Sequence, residues 1–426
     1  MNSYENCAIG VEASIQGQIM TENKIFREKR VFSVVFVLVI GLTFLDSYYQ
    51  TGSLKVVSIV AVFLACWKIA RGMGSDKLRK QLLIFILPII FLMLVTVLLF
   101  VFSGNKSGLA SLLYGEKKLL YQLISILVAC AAVLLFGKRA VVLTVYGICL
   151  AGVTILLISL SKYGVSASAR ACLDLINTYF TGNPSVHDFT ASMEMHDFTF
   201  SLGMILIYLL FYRKIGIRCY AVWILLLSVL FLLGYCRIAF LAVFAGIIFE
   251  ILGILFKRKT EKFKIFGIYA ALVLLGICCI IFLWIIYNGE LKTIFQNTDM
   301  TINGREMWFA EIEKVPFDIG YVGSGIGYTW NLFGMEIHND ILRQYIDLGG
   351  VVFLFWLFVQ LVLIPFCLKR WISFKSLKIY CTFTIFLFVT YFTDNSMFYF
   401  NSMYVYYMLC MQGCVDSDNE NGEIIC

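Results

Sequence analysis

Between Val31 and Cys414 the chain alternates long apolar runs with short polar breaks. Each run approaches the roughly 17–25 residues that a helix needs to cross a hydrocarbon layer of about 30 Å. In such a layer every backbone N–H and C=O must find its partner within the segment, so the runs are expected to be helices. A membrane β-barrel would instead alternate apolar and polar residues. Composition agrees: 61% of the 426 residues are hydrophobic and 14% are charged, against about 25% charged in soluble domains.

Twelve runs are expected to span, near 31–48, 54–70, 81–103, 119–136, 140–161, 197–212, 219–235, 238–256, 265–287, 348–368, 377–393 and 397–414. The fold class is therefore an all-α polytopic membrane protein. Lysine and arginine set the orientation. With the N-terminus inside, the basic clusters at Lys24–Arg30, Lys68–Lys80, Lys138–Arg139, Arg213–Arg218, Lys257–Lys264 and Lys369–Lys378 all fall on the cytoplasmic side. Residues 1–30 read as a cytoplasmic segment rather than a cleavable leader. Residues 31–414 form the transmembrane domain, and 415–426 a cytoplasmic tail. Two long external loops follow, 162–196 and 288–347, and the larger precedes the tenth span.

The net charge of +7 is spread over short clusters between spans, which argues against nucleic acid as a partner. Most of the 14 cysteines lie inside apolar runs, where cysteine behaves as a small hydrophobe. Cysteine and histidine show no zinc-type spacing.

Polarity concentrates in the two loops, which hold all three histidines, His187, His196 and His338. "GREMWFAEIEKV" carries apolar residues at helical spacing. "GYVGSGIGY" lacks the GK[ST] ending of a phosphate-binding loop, so it reads as a flexible bend or as part of a site. In "GMEIHNDILRQYIDLGGV", His338 suits proton transfer near neutrality or serves as an interfacial anchor. Asn339 or Asp340 caps the following helix. Asp340, Arg343 and Asp347 fall at i,i+3 and i,i+4 spacings, as a salt-bridge face would. Arg237, in "LLGYCRIAFLAV", stands between two apolar runs with almost no loop around it. It either snorkels from a span end or grips an anion with its planar guanidinium.

Taken together, "CRIAFLAV", "GREMWFAEI", "VGSGIGY" and "HNDILRQYIDLGG" resemble the O-antigen ligase/polymerase superfamily, the Wzy-type polymerases and WaaL-type ligases of bacterial envelope glycan assembly. Cys236 stands where the family has a small hydroxyl residue. The second HDFT of "VHDFTASMEMHDFTF", which begins at His196, loosely matches a further family element. The resemblance implies a GT-C-like glycosyltransferase that needs no metal or cofactor. Its donor would be a polyprenyl-diphosphate-linked oligosaccharide at the outer face of the cytoplasmic membrane. By that resemblance, Arg237 and Arg305 bind the diphosphate and His338 is the general base. Asn339 and Asp340 orient the histidine or cap the helix beneath it, while Asp347 and His196 are further site candidates. Membrane lipid, a chain-length regulator and a flippase are the partners it suggests. Polymerase and ligase share these motifs. A lipid-linked oligosaccharide flippase is the alternative from another class, but transporters place polar residues and broken helices mid-membrane. Here the runs are nearly free of charge, and only 4 prolines occur.

Overall fold

The computed structural model describes residues 30–46, 60, 75–103, 108–181, 195–212, 220–290 and 312–420. Among these the chain is almost wholly helical, and the one extended pairing is an isolated bridge between Val322 and Gly349. We number the helices α1 (30–46), α2 (Asp76–Phe102), α3 (Gly108–Phe136), α4 (Arg139–Tyr163), α5 (Val165–Thr181), α6 (His196–Phe211) and α7 (Tyr220–Leu233). They continue as α8 (Arg237–Leu255), α9 (Glu261–Tyr287), α10 (Tyr328–Phe333), α11 (Asp340–Leu348), α12 (Gly350–Trp371), α13 (Phe374–Tyr391) and α14 (Phe400–Glu420).

Among the described residues, six helices (α2, α3, α4, α8, α9 and α12) are long and apolar enough to cross a membrane; α6 and α7 are shorter apolar helices. The protein is thus a helical membrane protein. The expected run at 54–70 lies outside the described residues except for Val60, and the other eleven all fall on helices. The long loop expected at 162–196 contains the 17-residue α5.

The bundle has an apolar core, as a soluble fold does, but its outer surface is apolar as well. α14 packs along α3 and α6, and α13 along α8 and α14. The side chains of α6, α13 and the first two-thirds of α14 are almost all buried. On α2, α8 and α9 the apolar side chains Leu83, Leu87, Leu94, Leu241, Phe244 and Leu274 point outward, as lipid-facing residues do. Polar groups are turned inward and joined between helices, the usual adhesive where lipid is as apolar as the helix faces. Gln81 Nε2 donates to the Cys410 carbonyl at 2.9 Å, Thr144 Oγ1 lies 2.8 Å from the Tyr404 hydroxyl, and Gln412 Nε2 donates to the Gly137 carbonyl at 2.9 Å. Glu250 of α8, fully buried, accepts from Lys378 Nζ and Thr382 Oγ1 of α13, both at 2.5 Å, and from the Tyr212 hydroxyl. This clamp lies at the end of the bundle that carries Lys369, Arg370 and Lys375.

Two irregular stretches flank one groove on the outer surface. Pro88 interrupts the hydrogen-bond ladder of α2, and Val359–Leu363 form a π-helical turn inside α12. Between them lies an apolar cavity of about 460 Å³, walled by Leu83, Leu87, Phe91, Phe355, Val359 and Leu363.

Candidate functional site

The opposite end of the bundle gathers His196, Cys236, His338 and Asp394 from four places in the chain. His196 opens α6, and its neighbour Asp197 fixes where it stands. The Asp197 carboxylate accepts the Ser402 backbone N–H at 2.6 Å and the Asn401 N–H at 3.3 Å, and it also takes the Ser402 hydroxyl at 2.6 Å. An acidic group over free N–H groups at the start of α14 is the arrangement that the helix dipole favours.

His338 precedes α11. Asn339 is the N-cap of that helix: its Oδ1 accepts from Leu342 N at 2.9 Å, and its Nδ2 donates to the Phe392 carbonyl at 3.0 Å. The Asp340 amide donates to the Asp394 carbonyl at 3.0 Å. Its carboxylate pairs with Arg343 and accepts the Met397 N–H at 2.7 Å. Asn339 and Asp340 together therefore tie the start of α11 to the turn between α13 and α14.

That turn supplies Asp394, a residue the sequence reading passed over. Its Oδ2 meets His196 Nδ1, and its Oδ1 lies 3.4 Å from His338 Nδ1. Oδ1 also accepts the Tyr399 hydroxyl at 2.8 Å and the Asn395 N–H at 2.7 Å. Burial pushes the Asp394 carboxyl up, but the hydrogen bonds from His196 and His338 outweigh it and hold the group well below the ordinary carboxylate range. The ionised carboxylate sets the tautomer of both rings: each Nδ1 carries the proton and each Nε2 is left as a base. The His338 side chain is 52% exposed and that of His196 33%, so His338 is the more accessible of the two from outside.

Arg237 opens α8 and is exposed, with its guanidinium 5.9 Å from the Tyr235 ring centre. Tyr235 has φ +40°, the one positive φ outside glycine among the described residues. A bulky side chain in the left-handed region costs energy. The bend that requires it turns α7 into α8 and places Cys236 beside His196 and Asp394. One ligand atom from each of these three residues lies within 4.8 Å of the others. Arg305 lies outside the described residues, as does most of "GREMWFAEI".

Asp347 is placed elsewhere. Its carboxylate accepts the backbone N–H groups of Thr329 at 2.7 Å and Gly327 at 3.0 Å, and its carbonyl accepts Gly325 N–H at 2.8 Å. The glycine-rich bend is thus fastened over the end of α11 rather than loose. Gly349, with φ +81°, allows the crossing, since a Cβ there would stand 2.4 Å from the Tyr321 carbonyl oxygen.

Beside this bend is a small cavity lined by Tyr114, Lys118, Trp330, Glu336 and Arg343. The Tyr114 and Trp330 rings stack with centres 5.1 Å apart. Glu336 accepts from Lys118 Nζ at 2.8 Å, from Asn395 Nδ2 at 2.7 Å and from the Tyr114 hydroxyl. Arg343 Nε is buried with no hydrogen-bond partner among the described residues. The Glu336–Asn395 contact joins this cavity to the Asp394 turn.

No protein-family model, curated protein or solved structure gives a significant match to the chain.

Proposed function

We propose that the protein is a glycosyltransferase acting on polyprenyl-diphosphate-linked oligosaccharides, of the O-antigen polymerase/ligase type, and within that type a repeat-unit polymerase. The observation that carries this reading is the pairing of His338 and His196 on the Asp394 carboxylate, beside the helix start that bears Arg237. The reading includes the twelve-span, GT-C-like topology, both termini in the cytoplasm and the histidine end of the bundle outside.

His338 Nε2 takes the proton of the acceptor hydroxyl as its oxygen attacks the anomeric carbon of the donor sugar. The bond from that carbon to the phosphate oxygen breaks, and the polyprenyl diphosphate leaves with the electron pair. Asp394 orients His338 and stabilises the imidazolium that forms, the usual division of labour in a carboxylate–histidine pair. Arg237 and Arg305 offset charge on the leaving diphosphate. The apolar groove between α2 and α12 suits the polyprenyl tail, and the stacked Tyr114–Trp330 pair suits a sugar face.

The test is envelope glycan from cells that carry His338→Ala or Arg305→Ala at normal membrane levels. Loss of long polymer with single repeats retained is expected. Polymer of normal length in both variants overturns the assignment. Long chains left unattached to their acceptor identify a ligase instead.

A further inference from the structure

The meeting of His196, Cys236 and Asp394 has a chemistry that proton transfer does not use. A carboxylate and a histidine suffice for a base, whereas the third group is a thiol. Cys236 is a buried cysteine that takes part in no disulfide among the described residues. It is also the N-cap of the 19-residue α8, where the helix dipole favours a thiolate. The strained Tyr235 backbone is what delivers it there.

We propose that His196, Cys236 and Asp394 form a binding site for a borderline-soft divalent ion of the Zn²⁺ class. Nitrogen, sulfur and carboxylate oxygen are its preferred donors, at about 2.0–2.3 Å from the ion, which sets the donors about 3–4 Å apart. The 4.8 Å limit on the present separations leaves only small side-chain rotations to reach that geometry. On binding, Cys236 loses its proton to solvent, and the His196 ring changes tautomer by solvent exchange, giving up the Nδ1 proton and taking one at Nε2. The ion takes the place of the hydrogen bond between His196 Nδ1 and Asp394 Oδ2, while Oδ1 remains facing His338. Three protein ligands leave a fourth position open, and the part-exposed His196 ring marks the side from which water reaches it. This inference does not rest on the transferase reading, and it departs from the metal-free site that the sequence resemblance implied.

The experiment is Co²⁺ titration of the purified full-length protein in detergent micelles, with Zn²⁺ as competitor. A thiolate-to-Co²⁺ charge-transfer band that Zn²⁺ abolishes is expected, and Cys236→Ser should remove it. His196→Gln should weaken Co²⁺ binding roughly 10–100-fold or more, since it deletes a ligand. The absence of a band in the wild type overturns the proposal. A band of equal strength in Cys236→Ser places the metal on other cysteines and overturns it too. If Cys236→Ser fails to fold, His196→Gln decides alone, and unchanged affinity there is fatal to the site. None of these readouts requires transferase activity.

Discussion

Asp394 holds His338 by two routes: its Oδ1 lies 3.4 Å from His338 Nδ1, and its main-chain carbonyl receives the amide of Asp340 two residues on, at 3.0 Å. The carboxylate thus sets the ring while the backbone sets the stem. The same acid reaches His196 from its other oxygen.

On the proposed transferase reading, Asp394→Asn should therefore keep the fold and lose chemistry. The amide still accepts one ring N–H but cannot stabilise an imidazolium, so the turnover rate should fall about 10²–10⁴-fold with little change in KM. Rates of lipid-linked repeat consumption in proteoliposomes measure both quantities. Equal effects on kcat and KM, or none, would falsify the assignment of Asp394 as the orienting acid.

Trp330 is 38% exposed and rests on Tyr114. If a sugar lies on the indole, Trp330→Ala should raise KM for the acceptor roughly tenfold, the value of about 1.4 kcal/mol of stacking, with kcat preserved. Trp330→Phe should restore most of the loss.

The acid groups outside the spans predict a pH profile for stability. Burial pushes Asp340 up to about 7 against the opposing pull of Arg343, and Asp347 up to about 6 against the N–H groups of Thr329 and Gly327. An acid whose folded pKa is raised binds more protons in the native state, so its contribution is full below the unfolded value of about 3.9 and is lost as pH rises through the folded value. Asp394 runs the other way: its contribution is present above about pH 3.9 and is lost below it. Unfolding midpoints in micelles should fall between about pH 4 and pH 7 on account of Asp340 and Asp347. The slope should flatten in Asp347→Asn, although that variant starts lower because an amide N–H then faces the donors Gly327 and Thr329.

Lys378 neutralises the buried Glu250 at the far end of the bundle. Lys378→Met should cost about 3–5 kcal/mol, because it strands a carboxylate in the interior. Glu250→Gln combined with Lys378→Met should recover much of that loss. Thermal unfolding of the single and double variants makes the comparison.

Gly115 of α3 lies against the glycine bend, and a Cβ there would stand 1.8 Å from the Ile326 carbonyl oxygen. Gly115→Ala must push the bend off the helix, at a cost of about 1–3 kcal/mol. It should lower the unfolding midpoint and activity together.

These features differ in how far the sequence revealed them. Helix positions were legible because a span must bury its whole backbone and so writes itself as a continuous apolar run. The capping role of Asn339 was legible because a cap acts within three residues. Asp347 was visible as an acid near the site, but its use in fastening residues 325–329 was not: backbone amides carry no sequence signal. Asp394 lies 56 residues from His338 and 198 from His196. Only the helix arrangement joins them, although an acid in the short break between the last two runs was a usable hint. Cys236 stood out only as a replacement for a small hydroxyl residue, and its place beside a histidine depends on the bend at Tyr235.

The turn that bears Asp394 follows both of its histidine partners in the chain. A ribosome has already delivered both histidines and most of the membrane helices before the one acid they share leaves the exit tunnel. Until α13 and α14 insert, the cluster has nothing to organise it. A stop between residues 338 and 394 therefore leaves two imidazoles without the carboxylate that both contact.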